Sequence, residues 1–367
     1  MLIYKGENLN TVRTIISGSG SYIPPQVKCN EDFKSNEFFD SKQGRIPTAN
    51  EEIVEKFRQI TGIYERRYAD SNQSTSGMAA IAGERAIADA GIDPETLDQI
   101  IVAHNFGDID AHSVQSDATP SLAARVKHIL GIKNTACVAY DILFGCPGWL
   151  QGVIQADAFI KAGVAKKCLV IGAETLSRVL DPHDRDSMIF SDGAGAVVVE
   201  ARESAPDGSG ILSSCARTFT VDEARYIDMG HSNNPEADQQ ILYIKMQGRK
   251  VYEFALKHLP AAIKSCIDDS GMPITAIRKI FIHQANEKLD EAIVNGLYKL
   301  YGLTPDLPSI MPMNIHTLGN SSVATIPTLY DMVRKGELPE HQVVTGDVVV
   351  FASVGAGMHM NAVTYRV

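Results

Sequence analysis

The 367-residue sequence predicts an α/β fold in which buried, largely parallel strands are arranged in two similar halves. Three observations carry this prediction. Short apolar runs alternate with longer segments of helical periodicity. Glycines stand where the helical segments stop. The spacing of these features in the first half of the chain also recurs in the second.

In the first half, Ser76 to Ala90 has helical periodicity, stops at Gly91, and is followed by the apolar run Leu97-Asp-Gln-Ile-Ile-Val-Ala-His104. Leu130-Gly-Ile132 precedes Cys146. Pro147 suits the first turn of a helix, where its missing N–H costs nothing. Gly148 to Ala162 then reads as a helix that is apolar on nearly all sides and therefore buried. Two β-rich runs close the half, Lys167 to Gly172 and Gly193 to Val199. Arg202-Glu-Ser-Ala-Pro-Asp-Gly-Ser-Gly210 has linker composition, so the seam is placed between halves 1–205 and 206–367. The second half repeats the order. Lys250 to Ser270 is helical, stops at Gly271, and is followed by the apolar run Ile277 to His283. Tyr301-Gly-Leu303 precedes a Gly-Asn-Ser-Ser turn at Gly319 to Ser322 that leads into another helix. Asp347 to Ala352 and Asn361 to Tyr365 are its β-rich runs. The repeat places Cys146 and Asn320 at related positions facing one shared centre.

Composition excludes several classes of function. Hydrophobic content of 44% and charged content of 21% are those of an ordinary globular protein. No apolar run approaches the ~20 residues that span a bilayer, so no membrane role is expected. Met1 to Asn8 lacks the apolar core of a secretory signal. The six cysteines, 29, 137, 146, 168, 215 and 266, form no Cys-x-x-Cys pair. They point to reduced thiols in a cytoplasm, with neither a disulfide framework nor a zinc site. A net charge of −10 argues against general nucleic-acid binding, and requires any acidic partner to dock on a local basic patch. Ile16-Ser-Gly-Ser-Gly20 lacks the third glycine of a dinucleotide fingerprint. Ser191 to Ala196 reads as a tight turn before a strand. Asp181-Pro-His-Asp-Arg-Asp186 reads as a solvated loop, because nothing elsewhere completes a metal site.

Three residues suggest chemistry. Cys146, at the start of its helix, faces free N–H groups and the positive end of the helix dipole, which favour a nucleophilic thiolate. The competing reading is a small core residue. His283 ends a buried strand, where a backbone-bonded core histidine is the alternative. Asn320 opens a helix, where capping is its usual work. Taken one at a time, these residues leave both readings open.

Together, Asp141-Ile-Leu-Phe-Gly-Cys-Pro-Gly-Trp149, the His-Gln-Ala-Asn of 283–286 and the Gly-Asn-Ser-Ser of 319–322 resemble the ketosynthases of the thiolase superfamily. The closest resemblance is to β-ketoacyl-acyl carrier protein synthase III, and it covers nearly the whole chain, from Ile15 to Gly357. It implies the five-layer α-β-α-β-α thiolase-like fold. It also implies a decarboxylative condensation in which Cys146 holds an acyl group taken from an acyl-CoA or acyl-carrier thioester. A malonyl thioester then loses CO2 to give an enolate held by His283 Nε2–H and the Asn320 amide. The backbone N–H groups of Cys146 and Gly355 form the implied oxyanion hole. No metal or redox cofactor is called for. The implied partners are an acidic acyl carrier protein, met by Lys288 with Arg249, Lys250 and Lys257, and a second copy of the chain in a homodimer.

Departures from the family pattern bear on substrate. A Trp and an Arg used around the CoA adenine are replaced by Lys56 and Ile60, although the nucleotide partner Arg185 is present. Thr119 stands where a bulky aromatic usually floors the primer pocket across the dimer. Leu143 and Phe144 replace small residues beside the nucleophile. The latter pair reshapes the wall beside the thiol, whereas the lost adenine contacts and the smaller Thr119 favour a medium-length or branched primer delivered by carrier protein in a specialised lipid or polyketide pathway. Three alternatives stay open: an acyltransferase or cyclising enzyme with a non-malonyl acceptor, a non-catalytic ketosynthase partner, and a thiol hydrolase.

Overall fold

The computed structural model describes residues 12–113, 115–203 and 208–367. Two sheets dominate. The N-terminal sheet has the order Arg13–Tyr22, Asp192–Arg202, Lys167–Thr175, Gln99–Ala103, Val138–Ile142. The C-terminal sheet has the order Gly210–Thr218, His359–Arg366, Val348–Gly355, Ile277–Ile282. The four strands of the second match four of the five in the first, in the same chain order and with the same senses.

The strands are apolar on both faces because helices cover both sides. Period-two alternation divides each strand between two cores. Ile100 and Val102 pack outward against the Thr75–Ala90 and Leu122–Ile129 helices, whereas Ile101 points inward. Likewise Val350 and Ala352 face the Gly248–Asp269 and Glu287–Lys299 helices, whereas Phe351 points inward. Between the sheets lie the helices Gly148–Lys161 and Thr325–Arg334, whose Trp149, Val153, Leu329 and Tyr330 join both inner faces into one core. The layers are therefore helix, sheet, helix, sheet, helix, the five-layer order that the resemblance implies. No helix among the described residues is long and apolar enough to cross a membrane.

Several expectations need correction. Strand pairing is mixed: among the described residues only the strand pairs 99–103 with 138–142, 99–103 with 167–175, and 277–282 with 348–355 are parallel. In the C-terminal sheet the cause is local. Gly355 and His359 are joined by Ala356–Met358 alone, and so tight a connection makes an antiparallel pair. Ser191 to Ala196 is no tight turn, since the strand begins at Asp192. Its Gly195 serves close packing, because a Cβ there would stand 2.7 Å from the Thr328 nitrogen. The 181–186 segment is solvated only in part, at Pro182 and Arg185. Asp181 is 1% exposed and accepts from Lys245 Nζ at 2.6 Å and Ser232 Oγ at 2.9 Å. The seam expected at 205/206 and the N-terminal stretch Met1 to Asn8 lie outside the described residues.

Candidate active site

Cys146 precedes the central helix, for which Pro147 is the N-cap and Gly148 the first residue. Gly145 turns the chain into this position with φ of +64°. A side chain there would also collide with the backbone of Ala356, whose nitrogen lies 2.7 Å from where a Cβ would be. Gly355 comes as near from the other sheet, since its Cβ would stand 2.6 Å from the Cys146 nitrogen. The ends of both halves thus meet as bare backbone around the thiol.

His283 follows the strand Ile277–Ile282, and its N–H donates to the Ala352 carbonyl at 2.8 Å. Its ring is buried in apolar surroundings, and burial pushes its pKa down to about 4, so the imidazole is neutral at pH 7. Its Nδ1 is buried with no hydrogen-bond partner. Asn320 is fixed by its backbone: its N–H donates to Ile189 O at 3.0 Å, and its carbonyl accepts from Ser191 N–H at 2.8 Å. Its Oδ1 accepts from Ser322 N–H at 2.7 Å, which orients the side-chain amide.

These three residues come from separate parts of the chain and line one cavity of about 240 Å³. Its walls are mostly apolar, with Phe106, Leu176, Phe190, Ile244 and Met246 among them. That environment overturns one expectation. The helix start does not leave Cys146 with an easily formed thiolate; burial pushes its thiol up to about 11.

Sequence reasoning missed the polar groups behind the thiol. Ser322, held at φ of +54°, donates from Oγ to Cys146 Sγ at 3.4 Å. Asn105 Nδ2 donates to Ser322 Oγ at 3.1 Å and also to the Glu174 carboxylate. Burial raises Glu174 to about 8. An acid closing the apolar run 167–175 was a readable signal, but nothing local tied it to residue 146. Asp290 was missed too. It lines the cavity from the helix Glu287–Lys299, on the same face as Ile293 and Leu297.

The outer sequence-predicted residues are placed differently. Leu143 is 67% exposed, Phe144 stacks on His359 at 3.9 Å, and Thr119 lies in an exposed loop. None of the three is among the residues that line the cavity. Arg185 is exposed beside Asp186 at 3.9 Å. Arg249 pairs with Glu253 at 2.8 Å, and Lys257 and Lys288 are also exposed. The helices that carry Arg249, Lys257 and Lys288 are the two that wall the cavity through Val251, Leu259, Leu289 and Ile293.

Comparison with known proteins matches two family models. The 3-oxoacyl-[acyl-carrier-protein (ACP)] synthase III model covers residues 140–218, the stretch holding Cys146. Its C-terminal counterpart covers 267–367, the stretch holding His283 and Asn320. The β-ketoacyl-[acyl-carrier-protein] synthase III of Erythrobacter litoralis is 34% identical over 357 residues, 97% of this chain and 99% of that one. The chain belongs to the β-ketoacyl-[acyl-carrier-protein] synthase III family. The synthase III of Clostridium acetobutylicum is 35% identical, over 95% of this chain and 97% of its own. The crystal structure of the Aquifex aeolicus synthase III superposes with a TM-score of 0.77 at 30% identity, covering 96% of this chain and 100% of that one. This synthase III is accordingly a condensing acyltransferase with the thiolase fold.

Proposed function

We propose that this synthase III takes an acyl group from a thioester onto Cys146 and condenses it with malonyl-acyl carrier protein. The observation that carries the reading is the convergence of Cys146, His283 and Asn320 on one largely apolar cavity. In the first half-reaction Sγ attacks the thioester carbonyl and the thiol proton leaves with the departing carrier thiol. The tetrahedral oxyanion is met by the N–H groups of Cys146 and Gly355, whose backbones already lie in contact.

In the second half-reaction the malonyl thioester loses CO2, and the bond's electron pair becomes an enolate on the thioester oxygen. His283 supports this step as a neutral donor through Nε2–H, since its buried ring is uncharged and no acceptor holds a proton on Nδ1. Asn320 donates from Nδ2, because Oδ1 is already occupied by Ser322 N–H. The enolate carbon then attacks the acyl carbonyl on Cys146, the C–S bond breaks, and a 3-ketoacyl thioester is released. Apolar walls suit an aliphatic primer of medium length or with a branch. The exposed Lys288, Lys257 and Arg249 suit docking of an acidic carrier protein. All six cysteines are unpaired, which suits a reducing cytoplasm. A homodimer in which the exposed loop around Thr119 meets a second copy completes the reading.

The test is intact-protein mass spectrometry after mixing with acyl-CoA and acyl-carrier thioesters, with Cys146→Ala as control. A gain of one acyl group, absent in the variant, followed by CO2 release on adding malonyl-acyl carrier protein, is expected. No gain with any primer would sink the covalent mechanism.

A further inference from the structure

One group on the wall of the Cys146 cavity has no part in the chemistry above. Asp290 is 2% exposed, and its Oδ2 is buried with no hydrogen-bond partner. Among the described residues no cation compensates it; the charges acting on it are Glu287 and Glu291. Burial first, and these two carboxylates second, push its pKa well above the usual carboxylate range, which favours the neutral acid form. Its cavity neighbours Leu289 and Ile293 are aliphatic. An unsatisfied buried polar group is destabilising, a cost that leucine in its place would not incur. A group retained at such a cost and facing a cavity calls for a partner that arrives with the ligand.

We propose that Asp290 is a hydrogen-bonding subsite for a hydroxyl or amide group of the thioester that fills this cavity. The inference rests on the acyl-transfer reading and adds a polar requirement to it. A carboxylic acid offers one O–H donor and an acceptor oxygen side by side. That pair matches an amide, taking N–H and giving O–H to C=O, and it also matches a hydroxyl. Two parts of a thioester ligand present such groups: the amide-bearing arm of the carrier, and an acyl chain carrying a hydroxyl.

The test compares rates of Cys146 acylation, read by intact mass, in the wild type, Asp290→Leu and Asp290→Asn. Four probes separate the sources: hexanoyl and 3-hydroxyhexanoyl groups, each on coenzyme A and each on ethanethiol, which has no amide. Asp290→Leu is expected to slow about tenfold either both coenzyme A esters, naming the arm, or both hydroxy esters, naming the acyl chain. Hexanoyl ethanethiol ester should be unaffected, and Asp290→Asn, which keeps a donor and an acceptor, should largely restore the slowed rates. Asp290→Leu should also melt at or above the wild-type temperature. Unchanged rates on all four probes, an equal loss on all four, or a lower melting temperature would overturn the subsite. Failure of the wild type itself to acylate would instead remove the acyl-transfer reading, and the subsite with it.

Discussion

At Cys146 two influences oppose each other. The Ser322 hydroxyl favours the thiolate, whereas the apolar walls and the nearby Glu174 carboxyl disfavour it, and burial prevails. Because the thiolate is the nucleophile and the thiol sits at about 11, raising the pH supplies the reactive form. Alkylation by iodoacetamide, followed by mass, should therefore climb about tenfold per pH unit from neutrality to about pH 10 without levelling. A plateau near pH 8 would show that the site lowers the thiol instead. Asn320 tests the second half-reaction separately. Asn320→Asp replaces a donor with a group that repels the enolate, so malonyl decarboxylation should fall by about 10²–10³. Acylation of Cys146 should persist, and its loss would assign Asn320 to the wrong step. Motifs in the chain singled out Cys146, His283 and Asn320 as candidates, and the three line one cavity. Ser322, Asn105 and Glu174 were not assigned a role, because their contacts join positions far apart in sequence.

Between elements, glycines set how closely the halves approach. Gly172, in the strand Lys167–Thr175, would carry its Cβ 2.2 Å from the Val323 carbonyl. The turn that holds Asn320 and Ser322 therefore rests directly on this strand. Gly172→Ala should lower stability by about 2–3 kcal/mol in urea denaturation and should weaken acylation as the turn is displaced. Wild-type stability would refute so tight a fit. The strands and helices themselves were readable from period and punctuation. Antiparallel return of the last strand was not, since it depends on the length of a connection and not on the composition of the strand. The glycines at 193 and 195 illustrate the same limit. They looked like a turn, yet they lie in a strand, and at Gly195 a helix approaches too closely for a side chain.

In the molecule as a whole, one inner core belongs to both sheets. Phe351 of the C-terminal sheet is 1% exposed, lies 5.9 Å from Trp149 and 5.1 Å from Tyr330, and stacks on Phe281 at 5.3 Å. Trp149 is the single tryptophan, and its Nε1–H donates to Val170 O of the N-terminal sheet at 3.3 Å. Its fluorescence therefore reports on the junction of the two halves. Fluorescence and far-UV circular dichroism should lose signal at the same urea concentration, and Phe351→Ala should cost about 3–5 kcal/mol. Two separated transitions would mean that each half holds its own structure without the shared core.

The sequence by itself determined the α/β class and the internal repeat, and it singled out Cys146, His283 and Asn320 as the candidates that line one cavity. Periodicity, helix boundaries and short motifs are local properties, and a chain displays them before it folds. Only the tertiary structure decided the mixed pairing, the high pKa of the thiol, the Ser322–Asn105–Glu174 contacts and the burial of Asp290 on the cavity wall. The pairing depends on how short a connection is, and the others depend on which distant surfaces exclude water from a group, a property of the packed molecule.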